Sequence, residues 1–201
     1  VVGSSVTLTA ATGIGSGEAL EFADSASVNA SVTGTGNINL QGLGALTLGN
    51  ANTAAGSITV GAAGALVATL VDATGGLVDL DAAGLLTATS VTTNASGIID
   101  LDTSSGDIVA SSVVSADTAS ITAAAGDITL GGVTAVNAVD ITATLGSIND
   151  ADTETVTADV TGSAITLIAS TGIGSIQALE FVDGASVNAS VTGTGNINLL
   201  G

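Results

Sequence analysis

Gly126-Asp127-Ile128-Thr129-Leu130 and, after a short break, Val139-Asp140-Ile141-Thr142-Ala143 are two strands written in polar and apolar alternation. Ile128 and Leu130 alternate with Asp127 and Thr129; Val139 and Ile141 alternate with Asp140 and Thr142. A second short strand lies between them, around Val133 to Val136. Alternation rich in Ile, Val and Thr, punctuated by Gly, Ala and Asn, is strand signal. Strands this short make no independent sheet. They need counterparts stacked above and below.

The chain supplies those counterparts. Glycine opens an alternating segment at Gly36 (GNINL), Gly56 (GSITV), Gly76 (GLVDL), Gly106 (GDIVA), Gly126 (GDITL), Gly146 (GSIND) and Gly195 (GNINL). From Gly36 to Gly146 the successive starts lie 20, 20, 30, 20 and 20 residues apart. With Gly13 and Gly172 as looser members, seven intervals span 159 residues. The expected fold is all-β: a right-handed parallel β-solenoid of about 20 residues per coil and seven coils per 159-residue unit. Its hand follows the rule for crossovers between parallel strands. At ~4.8 Å per rung, seven coils advance roughly 34 Å.

Ile58, Ile108, Ile128 and Ile148 are expected in one inward row that continues to Ile38 and Ile197. The 30-residue step from Gly76 to Ser105 reads as a coil with an added strand or loop at Leu85–Asn94. Gly146–Thr171 gains a polar stretch, Asp150–Thr155. The two aromatics stand in Ala19–Phe22 and its copy Ala178–Phe181, each read as a Phe plugging a wider coil.

The period of 159 is visible directly. Residues 1–42 return as 160–201 with 32 of 42 positions identical, and Ala26–Leu40 recurs unchanged as Ala185–Leu199. Self-similarity at a fixed period marks a repeat architecture. The chain is read as one continuous solenoid segment, 1–201, of a longer tandem array. Its expected partners are further copies of the same repeat, in the same chain or end to end. No cap is recognisable to close the exposed strand edges.

Composition narrows the function. The chain has no Lys, Arg, His, Cys, Met, Trp, Tyr or Pro, against 18 Asp plus Glu, for a formal charge of −18. At 46% hydrophobic residues and a mean hydropathy of +0.70 it is too apolar for disorder. Without a cation it neutralises no phosphates, so nucleic acid is excluded, and anionic membrane surfaces are disfavoured. Its longest apolar run, Gly61–Val71, is far short of the ~20 residues of a membrane-spanning helix.

An enzyme needs a nucleophile with a base, or a proton carrier. His, Cys, Lys and Tyr are all missing, so carboxylates alone remain. A carboxylate pair can hydrolyse glycosides, but the basic and aromatic residues that hold acidic sugars are absent. The chain is read as non-enzymatic, with no cofactor. The candidate metal residues are Asp107 and Asp127, at one position of adjacent coils, with Asp79, Asp81, Asp100 and Asp102, paired along strand faces. Like charges about 5 Å apart repel, and calcium with oxygen ligands would relieve that; diffuse screening by solvent cations is the competing expectation. The glycine-rich calcium β-roll nonapeptide is absent. An ice-binding Thr array at Thr122, Thr142 and Thr144 is broken by Asp102 and Asn52. Asn37, Asn39, Asn196 and Asn198 suggest amide ladders. Asn29 and Asn188 stand in glycosylation sequons.

The Gly-Asp-Ile-Thr-Leu and Val-Asp-Ile-Thr-Ala segments at a spacing of 20 resemble the repeats of filamentous-haemagglutinin-like giant bacterial surface adhesins. The resemblance implies export, a long right-handed β-helical shaft, and adhesion carried by separate domains. It departs in lacking every basic residue. The expectation is therefore a structural shaft segment of a very long extracellular, cell-surface protein, part of a rod, fibre or coat. Divalent cations and surface glycans are the outside partners such a segment could meet. The alternative readings are a cation-dependent surface-layer or RTX-like calcium module, and a carbohydrate-active β-helix enzyme.

Overall fold

The computed structural model describes residues 1–153, 157–182 and 184–201. Among them there is no helix, and all strand pairings are parallel. A twelve-stranded sheet and a nine-stranded sheet stack rung upon rung into a β-solenoid. Ile58 pairs with Val78 and Leu66 with Leu86, so one turn takes 20 residues.

Three walls make up each turn. The second full rung shows them clearly: Leu46–Thr53 runs along walls one and two, and Ile58–Ala62 forms wall three. Inward side chains alternate along each wall. At Gly49 and Asn50 two successive residues face outward, so the strand turns a corner between walls one and two. Thr69–Leu70 and Thr89–Ser90 repeat that corner, with only the Ser90 side chain partly covered. The preceding rung, Ala26–Val32, is one residue shorter there, and its register shifts between Val28 and Asn29. Later rungs break the corner altogether, leaving Ile108–Ala110 and Val113–Ser115 as separate strands against Leu86–Thr93.

Inward positions stack into apolar columns. Wall one carries Leu46, Leu66, Leu86, Ile108, Ile128, Ile148 and Ile173. Wall two carries Ala51, Val71, Val91, Val113, Val133 and Val160. Wall three carries Ile38, Ile58, Val78, Ile99, Ala119, Val139 and Ile165. The side chains of the central rungs are buried, while Val6 and Leu8 at one end and Val187 and Ala189 at the other are half-buried. At ~1.5–3 kcal/mol for each large aliphatic side chain taken from water, these columns are the main cohesive force.

The expected row of isoleucines divides in two. Ile108, Ile128 and Ile148 do share a column, and Ile197 bridges to Ile173 at its end. Ile38 and Ile58 belong instead to wall three. Two corners of the solenoid carry stacked glycines. Gly36, Gly56, Gly76 and Gly97 lead into wall three, whereas Gly44, Gly64, Gly84, Gly106, Gly126 and Gly146 lead into wall one. The 30-residue interval from Gly76 to Gly106 passes from one corner to the other, a turn and a half. Leu85–Asn94 is therefore not an insertion. Leu86–Thr93 is a full rung across walls one and two.

That crossing alters the count of coils. Ser5–Ala10 and Ala26–Val32 lie in the twelve-stranded sheet, yet their copies Ala164–Ala169 and Ser186–Val191 lie in the nine-stranded sheet. Internal pairings of the two copies agree: Ile14 bridges Ile38 as Ile173 bridges Ile197, and Leu20 pairs Leu40 as Leu179 pairs Leu199. From Ala26–Val32 the chain climbs seven rungs to Gly172–Ile173 and crosses half a turn more to Ser186–Val191. The 159-residue unit thus completes seven and a half turns, a refinement of the seven expected.

Among the described residues, real excursions occur at 15–19, at their copy 174–178, and after Asp150. Five residues, 15–19, loop out between Ile14 and Leu20 while their neighbours Ile38 and Leu40 stand two apart. Phe22, just after the loop, is fully buried and fills the end of the core. The chain leaves the ladder after Asp150, which pairs with Leu130, and is back in it at Val160, which pairs with Val133. Glu154 and Thr155 of that polar stretch lie outside the described residues.

Candidate functional site

The six aspartates singled out from the sequence occupy two separate places. Asp79 stands opposite Asp100, and Asp81 opposite Asp102, on the outward face of wall three. The outward row is polar along the stack: Asn39, Thr59, Asp79, Asp100, Ser120 and Asp140 follow one another. Partial burial and the charges of Asp81, Asp100 and Asp102 push the Asp79 carboxyl up to about 6. Asp81 is raised by burial and by Asp100. Asp102 is raised by burial and Asp100, with a hydrogen bond to Thr122 working the other way. A shallow open groove runs beside this ladder, lined by Gln41, Gly61, Asp81, Asp102 and Thr122.

Asp107 and Asp127 sit at the corner that leads into wall one, and there they act along the axis. Asp127 N–H donates to Asp107 Oδ1 at 2.9 Å. Ser147 donates to Asp127 Oδ1 through both its N–H, at 2.7 Å, and its hydroxyl, at 2.9 Å. The other glycine corner uses the same device, with Asn37 Oδ1 accepting from Ser57 N–H and Ser57 Oγ from Leu77 N–H. The residue after a corner glycine therefore ties its rung to the next. Asn, Ser and Asp serve because each offers a short acceptor in reach of that N–H.

A third acidic place, absent from the sequence-based candidates, forms between the end of one ladder strand at Asp150 and the start of the next at Val160. Asp150, Asp152 and Asp159 bring carboxylate oxygens within 4.8 Å of one another, the one such group among the described residues. Asp150 and Asp159 are buried; Asp152 is exposed. Glu180 lies on the following rung, beside Asp159. Asp159 N–H donates to Glu180 O at 3.0 Å, and Glu180 N–H donates to Asp159 Oδ2 at 2.9 Å. Asp152 N–H donates to Asp150 Oδ1 at 2.9 Å. Asp150 Oδ2 and both Glu180 carboxylate oxygens are buried with no hydrogen-bond donor. Burial raises the Asp159 carboxyl well above the ordinary carboxylate range, and the neighbouring carboxylates of Glu180 and Asp150 add to this against the Glu180 N–H bond.

The sequence shows the Asp150–Thr155 stretch but conceals Glu180 as its companion. Glu180 is the copy of Glu21, and Glu21 is exposed in its own rung. At Glu180 the preceding rung supplies Asp159. Comparison of the chain with protein-family models, with curated proteins and with solved structures returned no match in any of the three.

Proposed function

We propose that this chain is a shaft segment of a long cell-surface repeat protein, a rod or fibre whose work is to give reach and to resist force. The observation that carries this reading is the continuous stack of parallel rungs. Every described strand from Ser5 to Leu200 pairs in parallel with a strand one turn away, and one apolar cluster runs from end to end. The self-copied segment continues the stack through Ala164–Ala169, which pairs with Ala138–Ala143, and this suits an array that extends by repetition. Stability in such a stack is nearly a sum of rungs and their interfaces, so length adds no new folding problem. Chemistry is not part of the proposed role: the chain has no His, Cys, Lys or Tyr, and hydroxyls such as that of Ser147 find only a carboxylate beside them. The resemblance to shaft repeats of giant adhesins points the same way, with adhesion left to other domains.

The test is growth in length. Chains carrying one, two and three 159-residue units are compared by small-angle scattering and negative-stain microscopy. A shaft gains roughly 36 Å per unit at constant cross-section, from seven and a half rungs of ~4.8 Å. Units that separate into beads on a string would refute the reading.

A further inference from the structure

We propose that Asp150, Asp152, Asp159 and Glu180 form a site for one hard divalent cation, calcium by its donor set, which clasps one 159-residue unit to the rung of the next. The donors are all carboxylate oxygens, the ligand type hard cations take. Three of those oxygens, Asp150 Oδ2 and the two of Glu180, are buried and meet no donor from the protein. Asp150 is 5% exposed and Glu180 4%. A buried carboxylate without a counter-charge is costly. This chain has no Lys, Arg or His from which to supply one. The counter-charge therefore comes from outside, as an ion or as protons.

The donor set selects among ions. Carboxylate oxygens of Asp150, Asp152 and Asp159 all lie within 4.8 Å of one another, close enough to share one calcium at ~2.4 Å per bond, with the Glu180 carboxylate beside Asp159 as the further ligand. Magnesium, which demands a strict octahedron and keeps several waters, is the poorer match to four carboxylates. Position gives the site its purpose. Asp150 to Asp159 are the last residues before the second copy begins at Val160, and Glu180 belongs to that copy. The junction between units is also where nine residues separate Asp150 from Val160, whereas their ladder partners Leu130 and Val133 are separated by two. A cation there holds the two ends of that interval to the next rung.

The experiment uses the 201-residue chain stripped with chelator, at pH 7.5 in ~150 mM NaCl so that exposed carboxylates are screened. Calcium and magnesium chloride are titrated separately by calorimetry. Melting is followed by far-ultraviolet circular dichroism, since the chain has no Trp or Tyr. We expect one saturable calcium site with a Kd of ~1 mM or tighter, and a melting temperature that climbs with calcium concentration. Asp159→Asn and Glu180→Gln each weaken binding about tenfold or more, whereas the double variant Asp79→Asn with Asp102→Asn retains it. Without calcium both single variants melt at or above the parent, because each removes a repelling charge; direct-excitation europium luminescence supplies a second readout of the site. Absence of saturable binding, or binding kept in Asp159→Asn and lost in the Asp79/Asp102 variant, overturns the proposal. So does a melting temperature that responds to acid but not to calcium, which would mean that shared protons hold the cluster.

Discussion

Asp79 and Asp100 face each other across one rung spacing, with Asp81 and Asp102 beside them, and no cationic side chain exists to separate the four. The raised Asp79 carboxyl fixes the sign of a pH effect. Its proton is held more tightly in the folded chain, to about 6 against an ordinary 3.8. Stability is then greatest below the unfolded value and falls as pH rises through the window between the two. We expect a higher melting temperature at pH 4.5 than at pH 7.5, at fixed ionic strength. Asp79→Asn should flatten part of that slope; an unchanged slope would show that the ladder is fully screened by solvent. The polar interior has a different logic. Thr53, Thr93 and Thr103 are buried, and their hydroxyls donate to Gly36, Gly97 and Gly106 carbonyls at 2.9, 2.8 and 2.7 Å. Threonine closes the turn where a carbonyl would otherwise be left inside without a partner.

Among the elements, the corner glycines matter for closeness and not for unusual backbone angles. Gly126 has no positive φ, yet a Cβ there would run into the Gly106 carbonyl one rung below. Gly126→Ala should cost ~1–3 kcal/mol by forcing the rungs apart, measured by denaturant unfolding, while Gly17→Ala, in open space, should cost almost nothing. This accounts for what the sequence made legible. Alternation revealed the strands, and a glycine spacing of 20 revealed that Ile108, Ile128 and Ile148 stack. It could not tell the two corners apart, since each is a glycine followed by a small polar residue and an alternating strand. For that reason the glycine spacing assigns Ile58 to the wrong column and makes Leu86–Thr93 read as surplus. The acidic corner was harder still. Asp150 and Asp152 stand out as a polar stretch, but only the length of the following excursion decides that Asp159 lands beside Glu180.

For the whole molecule, near-additivity of rungs sets what deletion should do. Removing residues 57–76 takes out one complete turn and brings Gly56 directly onto Leu77, with both corner columns still in phase. The shortened chain should fold with the same parallel sheet signature and a melting temperature lowered by only a few degrees. Removing ten residues from the same place throws the walls out of phase, placing outward Asp and Thr against the core, and should abolish cooperative melting. Equal tolerance of both deletions would mean that rung register is not what holds the stack.

The half turn left over by each 159-residue unit has an outcome for any array of them. Neighbouring copies present the same segment on different walls, so a mark borne once per copy changes wall from one copy to the next along the length. Such an object has no back. Lateral neighbours would find the same grip on more than one wall, and side-by-side association would broaden into a lattice instead of ending at a pair.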